Sequence, residues 1–315
     1  MRRHEIGCVV MGPRYTMIKG HFYLFYPDLP AQGPEPDGDT VTFLPDNDDL
    51  VWALRRFSGT PPDRRHLGAY NIRFEGIDAL ETHYLGRHQN AEFAYAARDA
   101  MLARLGFTGV VFEPNLPNKV KSAAVHPLRG VVYANGIESN GRILGLVPPA
   151  GTEPAAEEDG SAVFIDTEAL AGTVNAGLIA DGLAYAELYG TMPIDLVDRC
   201  AAAVKSARAA SAGFWPHESF GVGKAAKITS LTDLPALVCF PKMYRRLVSY
   251  FLADPGRDLS GFDAWVRADV IRRDDVVGLP TRERGNLHDV YSVDGDEISL
   301  RFLPEDLLFE PDPPH

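Results

Sequence analysis

Three stretches early in the chain have the composition or period of β-strands. His21-Phe22-Tyr23-Leu24-Phe25-Tyr26 and Thr40-Val41-Thr42-Phe43-Leu44 are rich in aromatic and β-branched residues and flank a Gly33 to Gly38 turn; Tyr70-Asn71-Ile72-Arg73-Phe74 alternates up to a kink at Gly76. Residues Glu92 to Leu105 are Ala-rich, carry apolar side chains at helical spacing and stop at Gly106, which predicts a helix with a glycine C-terminal signal. Gly109-Val110-Val111-Phe112 and Ile143-Leu144-Gly145-Leu146-Val147 then supply a fourth and a fifth strand. Five strands with a helix packed at one end predict an α+β fold built on a five-stranded OB-type β-barrel. Beyond Trp215 the pattern changes. Helical stretches are expected over Leu234 to Leu252 and Phe262 to Val270. Short strands are expected at Val290-Tyr291, Ile298 to Phe302 and Leu307 to Phe309, around an Asp294-Gly295 hairpin signal. The predicted organisation is a barrel domain over residues 1–219 and a small C-terminal α+β extension over 220–315.

At 315 residues and 45% apolar content the chain is long enough for a substantial core. Its 31 basic and 43 acidic residues leave a net charge of −12, which argues against an extended nucleic-acid surface held by broad electrostatics. The acidity is locally clumped: Glu153 to Glu168 holds six acidic residues and no basic one, and the stretch over about 148–160 reads as a solvated acidic loop. A focused positive pocket can coexist with such a shell. Cys8, Cys200 and Cys239 lie far apart without a Cys-x-x-Cys pair, so neither a disulfide framework nor a zinc site is expected. No 18-residue apolar run occurs, and Cys8-Val9-Val10-Met11 is too short for a signal-peptide core despite Arg2 and Arg3. The expected location is cytoplasmic, with no membrane partner.

Candidate chemistry lies in Asp37-Gly38-Asp39-Thr40, in Arg73-Phe74-Glu75-Gly76-Ile77-Asp78-Ala79-Leu80-Glu81, and in Asn140-Gly141-Arg142. A divalent cation that touches a phosphate prefers hard oxygen ligands, and Ca²⁺ accepts carboxylates, carbonyls and water. Asp39, Asp78 and the Ala79 carbonyl are the candidate ligands. Glu81, three residues past Asp78, is placed to deprotonate a water as general base. Arg73 and Arg142 carry permanent planar charges suited to phosphate oxygens and to the charge that builds during attack.

At these residues the chain resembles the staphylococcal-nuclease (thermonuclease-like) family. That family opens its second strand with Asp-Gly-Asp-Thr, closes its third with Arg-x-x-x-(Ile/Val)-Asp-x-Pro-Glu, and precedes its fifth with (Asp/Glu)-x-x-Gly-Arg. Asp39 and Asp78 fall on the family's metal aspartates, Arg73 and Arg142 on its two catalytic arginines, and Glu81 on its base. The likeness continues through Val174 to Tyr185, similar to a family helix and its Gly-Leu-Ala turn, and through Gly213-Phe214-Trp215, similar to a closing Gly-x-Trp; it spans roughly residues 20 to 216. The resemblance implies a Ca²⁺-dependent nuclease that hydrolyses DNA or RNA and leaves 3′-phosphate ends, with Tyr185 and Tyr189 near the nucleotide. Two departures stand out. Leu80 replaces the family's proline, which removes a φ restraint from the loop carrying Glu81. Residues 46–69 and 120–136 read as insertions that roof or narrow the groove.

Other candidates have plainer readings. His83 and His88 fit an exposed loop or a metal or proton relay, Lys119 and Lys121 fit either a surface loop or a DNA contact, and Arg245, Arg246, Arg272 and Arg273 fit a solvated helix face ahead of a contact with substrate backbone. From another functional class, the alternative is a non-catalytic nucleic-acid- or protein-binding module on the same barrel.

Overall fold

The computed structural model describes residues 15–29, 32–152 and 157–311. Cys8, the short apolar run before Met11 and the Glu153–Ala156 part of the acidic stretch lie outside them. The first half of the chain runs through β1 (Tyr15–Tyr23), β2 (Thr40–Pro45), α1 (Asp48–Trp52), β3 (Tyr70–Phe74), β4 (Gly76–Ala79) and α2 (Ala91–Leu105). It continues through β5 (Val111–Glu113), β6 (Leu116–Ser122), β7 (Leu128–Ile137) and β8 (Ile143–Leu146).

Antiparallel pairing joins β1 to β2, β2 to β3, β7 to β8 and β7 to β1, while β3 and β8 pair in parallel with Ile72 opposite Ile143. The order β1-β2-β3-β8-β7 therefore returns to β1 and closes a five-stranded mixed barrel. Ile18, Phe22, Val41, Phe43, Ile72, Phe74, Val132 and Ile143 fill the buried cluster, as the period-2 pattern requires. Closure leans on two glycines. Gly20 and Gly130 face each other across β1 and β7, and the Phe22 ring lies where a Gly130 side chain would go.

Two expectations need correcting. Val111 and Phe112 do not belong to the barrel; they form a separate hairpin with β6. The missing barrel strand is β7, inside the stretch read as an insertion. Its sequence Leu128-Arg-Gly-Val-Val-Tyr-Ala-Asn-Gly-Ile lacks alternation because residues 130 to 137 are buried on both faces. Likewise β1 starts at Tyr15, six residues before the expected His21.

Helix α2 matches its sequence signals. The Asn90 side chain accepts from the Phe93 N–H, and Gly106 ends the helix with a left-handed φ of 110°. Its Ala94, Ala97, Met101, Leu102 and Leu105 form the buried stripe.

After the barrel come β9 (Ala162–Val163), α3 (Thr167–Ala171), α4 (Val174–Ala180), β10 (Ala184–Glu187) and α5 (Ile194–Ala209). Part of the acidic stretch is tied down here: Asp159 accepts from the Lys19 N–H at 2.8 Å, and β9 pairs with the start of β1. Strand β10 pairs with β4, setting Tyr185 opposite Asp78 and Glu187 opposite Gly76.

The C-terminal region comprises β11 (Ala226–Lys227), α6 (Pro241–Ala253), α7 (Phe262–Arg267), β12 (Val276–Gly278), β13 (Arg284–Asn286), α8 (Leu287–Val290), β14 (Tyr291–Asp294), β15 (Glu297–Leu300) and β16 (Leu308–Phe309). The expected helix over Leu234 to Leu252 is shorter, because Pro241 starts it at the first helical position. The β14–β15 hairpin turns at Gly295, with φ 60°, as its sequence signal implies. This region shares the barrel's hydrophobic cluster. Phe240 lies 5.8 Å from Tyr185 and 6.2 Å from Phe309, and the Phe309 N–H donates to the Leu188 carbonyl at 2.8 Å. Burying a phenylalanine side chain contributes roughly 1.5–3 kcal/mol, so Phe240 and Phe309 alone are a substantial tie. Among the described residues no helix is long and apolar enough to cross a membrane.

Gly20 offers a direct check on barrel closure. A Cβ there would strike the Leu44 carbonyl oxygen and lie 2.6 Å from the Phe43 ring. Gly20→Ala is expected to lower stability by about 1–3 kcal/mol, read from the midpoint of urea unfolding.

Candidate functional site

Glycines at two kinks let the candidate residues meet. Gly38 packs against Ala79 and Ala97, leaving no room for a side chain beside Asp39, and Gly76, with φ 79°, turns the chain between β3 and β4. Thus β3 presents Arg73 and β4 presents Asp78 to the Asp39 carboxylate. Arg73 is 7% exposed and lies among three carboxylates. It pairs with Asp39, with Asp78 Oδ1 at 2.7 Å and with Glu187 Oε2 at 2.8 Å. Asp39 Oδ2 also accepts from the Ala79 N–H at 2.8 Å, and its Oδ1 accepts from the Thr40 hydroxyl at 3.1 Å. Ala79, expected as a carbonyl ligand, meets Asp39 through its amide N–H.

Glu81 joins the cluster through a residue from the C-terminal region. Arg245 Nη1 donates to Glu81 Oε1 at 2.6 Å and to Asp78 Oδ1 at 3.0 Å, and its Nη2 donates to Asp78 Oδ2 at 3.1 Å. The same Nη2 lies 3.5 Å from Glu187 Oε1. Lys242 bridges Glu187 and Asp275 at 3.0 Å each, and Arg246 reaches Asp275 at 2.7 Å. Positions 242, 245 and 246 fall on one helical stripe of α6, while Tyr244, Leu247, Val248 and Phe251 form its buried apolar stripe. The reading of Arg245 and Arg246 as a solvated face is thereby corrected; Arg272 is exposed and Arg273 stacks on Trp265, as a surface position allows. The i, i+3, i+4 spacing of Lys242, Arg245 and Arg246 was the available signal for a cationic stripe. Glu187 and Asp275 carry no comparable sequence mark.

Leu80 stands where the resembled family has its proline. Its side chain is fully buried, and Gln89 braces the loop by accepting from the Glu81 N–H at 3.0 Å and donating to the Cys239 carbonyl at 2.8 Å. Burial here does the anchoring that a proline ring would do through φ.

Arg142 stands apart from the carboxylate cluster. It follows Gly141, with φ 78°, and donates from Nε and Nη2 to the two oxygens of Glu138 at 3.2 Å each. Nevertheless Asp39, Arg73, Glu81, Arg142, Tyr189 and Arg245 line one cavity of about 630 Å³. Tyr189 touches the cluster, its hydroxyl donating to Glu187 at 3.3 Å and accepting from Lys242 at 3.2 Å. Tyr185 does not: its ring stacks on Phe214, its hydroxyl donates to Glu218 at 3.0 Å, and it is a core residue rather than a nucleotide contact. His83 pairs with Glu35, His88 with the Gln89 carbonyl, and Lys119 with Glu35, while Lys121 is exposed.

Burial sets the electrostatics. It pushes the Glu81 carboxyl up to about 7, helped by the charges of Asp78 and Asp37 and opposed by Arg245. Burial and the charge of Asp39 likewise push Asp37 up to about 7. Asp78 is also raised, burial outweighing Arg245 and Arg73. At Glu187 burial loses to Lys242, Arg245 and Arg73, which hold it well below the usual carboxylate range.

As the side chains stand, the donor set does not fit Ca²⁺. Both oxygens of Asp39 and both of Asp78 already accept hydrogen bonds, and the Arg245 guanidinium lies against Asp78, Glu81 and Glu187. Among the described residues no group of three or more His, Cys, Asp or Glu side chains is arranged to hold a metal ion. The chain matches no protein-family model and no curated protein.

Glu75, on the cavity wall, allows a test of the buried charge. Burial pushes its carboxyl from an ordinary 4.5 to about 7, against the amide of Asn135. The fold therefore keeps this proton where the unfolded chain has lost it, and stability falls as pH rises from about 4.5 to about 7. Glu75→Gln is expected to match wild type in thermal unfolding at pH 5 and to exceed it at pH 8 by on the order of 1–3 kcal/mol.

Proposed function

We propose that the cavity binds a phosphodiester of DNA or RNA and hydrolyses it, as a nuclease of the staphylococcal type. The observation that carries this reading is the convergence of Glu81, Arg73 and Arg142 on one opening, with Arg245 beside them. Glu81, raised to about 7, has a pKa matched to taking a proton from water at neutral pH. In that role it deprotonates a water that attacks phosphorus in line, the P–O bond opposite breaks, and the leaving oxygen takes a proton from solvent. Arg142, 27% exposed and facing the cavity, is available to the non-bridging oxygens; Arg73 and Arg245 stabilise the charge from within. The net charge of −12 supplies no broad attraction for a polyanion, which favours a short contact with the strand over a long one.

A second reading, a binding module without catalysis, draws on the mutual neutralisation of Asp39, Asp78, Arg73 and Arg245. The discriminating assay is cleavage of single-stranded DNA, double-stranded DNA and RNA, with Ca²⁺, with Mg²⁺ and with chelator. Cleavage is expected to rise with pH through about 7. It should fall by about 10²–10⁴ in Glu81→Gln and by about 10²–10³ in Arg142→Ala. Arg73→Ala is a poor probe, because stripping the partner from three buried carboxylates costs about 3–5 kcal/mol of stability. Binding with no cleavage under any condition would leave the module reading standing and remove the nuclease one.

A further inference from the structure

Asp78, Glu81 and Glu187 come from β4, the loop after it and β10, and all three point at a single guanidinium. Hard divalent ions draw on such carboxylates, but as these side chains stand they are not arranged to hold a metal ion. Here the point is filled from the protein itself, by a side chain lying outside the stretch that resembles the nuclease family.

The filling side chain is not a loose one. Arg245 sits in the middle of the 13-residue α6, and the neighbouring stripe of that helix is buried in the hydrophobic cluster. Lys242, about one turn before it, and Arg246, the next residue, are both pinned to Asp275. Tyr244 adds a hydrogen bond from its hydroxyl to the His88 carbonyl at 2.5 Å. Withdrawing the Arg245 guanidinium by more than a rotamer change requires moving a packed helix. A permanent, planar, singly charged fork has thus been built into the site, with donors on both Asp78 oxygens at once.

We propose that Arg245 is the resident cation of the Asp78–Glu81–Glu187 cluster, so that the cavity handles its phosphodiester without a divalent ion. For its ligand the proposal rests on the nuclease reading above; for the occupancy of the cluster it does not. It assigns to α6 a part in the site, as the element that positions a charge stabiliser.

The test is a calorimetric titration of Ca²⁺ and of Tb³⁺ into wild type, Glu81→Gln and Arg245→Met, with thermal unfolding of each protein in Ca²⁺ and in chelator. Wild type and Glu81→Gln are expected to give the same weak uptake, and Ca²⁺ is expected to leave wild-type Tm unchanged. Arg245→Met, left with uncompensated carboxylates, is expected to bind one ion at least about tenfold more tightly and to gain several degrees of Tm on adding Ca²⁺. One ion bound by wild type and lost in Glu81→Gln overturns the proposal, whether or not Arg245→Met folds. So does an Arg245→Met protein that folds and binds no ion more tightly than wild type. Cleavage is read separately. Chelator-sensitive cleavage with an ion held at Glu81 keeps the nuclease and removes the role given to Arg245. No cleavage in any metal, with the expected titrations, removes the nuclease and keeps Arg245 as resident cation.

Discussion

The buried pairing of Arg73 with Asp39, Asp78 and Glu187 is the constraint around which the rest is arranged. A carboxylate taken out of water costs several kcal/mol unless a cation and hydrogen bonds meet it. Four elements deliver these groups: the start of β2, β3, β4 and β10. One guanidinium cannot neutralise three such groups. The surplus is met by Arg245 and Lys242 from α6, so the charge requirement of the barrel's rim reaches into the C-terminal region.

That requirement explains why the C-terminal region packs as it does. Helix α6 presents two adjacent stripes, one cationic and one apolar, and both must be satisfied in the same placement. The apolar stripe enters the common hydrophobic cluster while Lys242 and Arg245 meet Glu187 and Asp78. Phe309 reinforces the arrangement by bonding to the chain at Leu188 and lying 4.6 Å from the Lys242 ammonium. Hydrophobic burial supplies most of the stabilisation, since buried ion pairs return little beyond their own desolvation cost.

Much of the barrel was readable in the sequence because β2, β3 and α2 obey simple periods and carry their punctuation: Gly76 at a kink, Asn90 and Gly106 at the helix ends. Strand β7 was hidden for a physical reason. Buried on both faces and interrupted by Gly130 and Gly136, it shows neither alternation nor a clean β-branched run. At the site, Asp39, Arg73, Asp78 and Glu81 stood out through short-range spacing, and they do share one cluster. Glu187 and Asp275 did not, and the cationic spacing on α6 did not reveal its partners, because ion pairs between residues 29 to 167 positions apart leave no local pattern. Tyr185 shows the opposite failure: a tyrosine beside a Gly-Leu-Ala turn reads the same whether its ring faces a ligand or, as here, Phe214 and Trp215.

The distance along the chain between Arg245 and its acids sets an order of events during synthesis. Arg245 and Glu81 are 164 residues apart, and Arg245 and Asp78 are 167 apart. A nascent chain therefore makes the acids of the cluster long before it makes α6. While the ribosome extends the chain past β10, Arg73 alone faces Asp39, Asp78 and Glu187, and the rim must stay hydrated or protonated. Domains form as units from the N-terminal side, but this rim is covered by a helix made well after it. The rim of the barrel thus meets its second guanidinium only once residue 245 has been made.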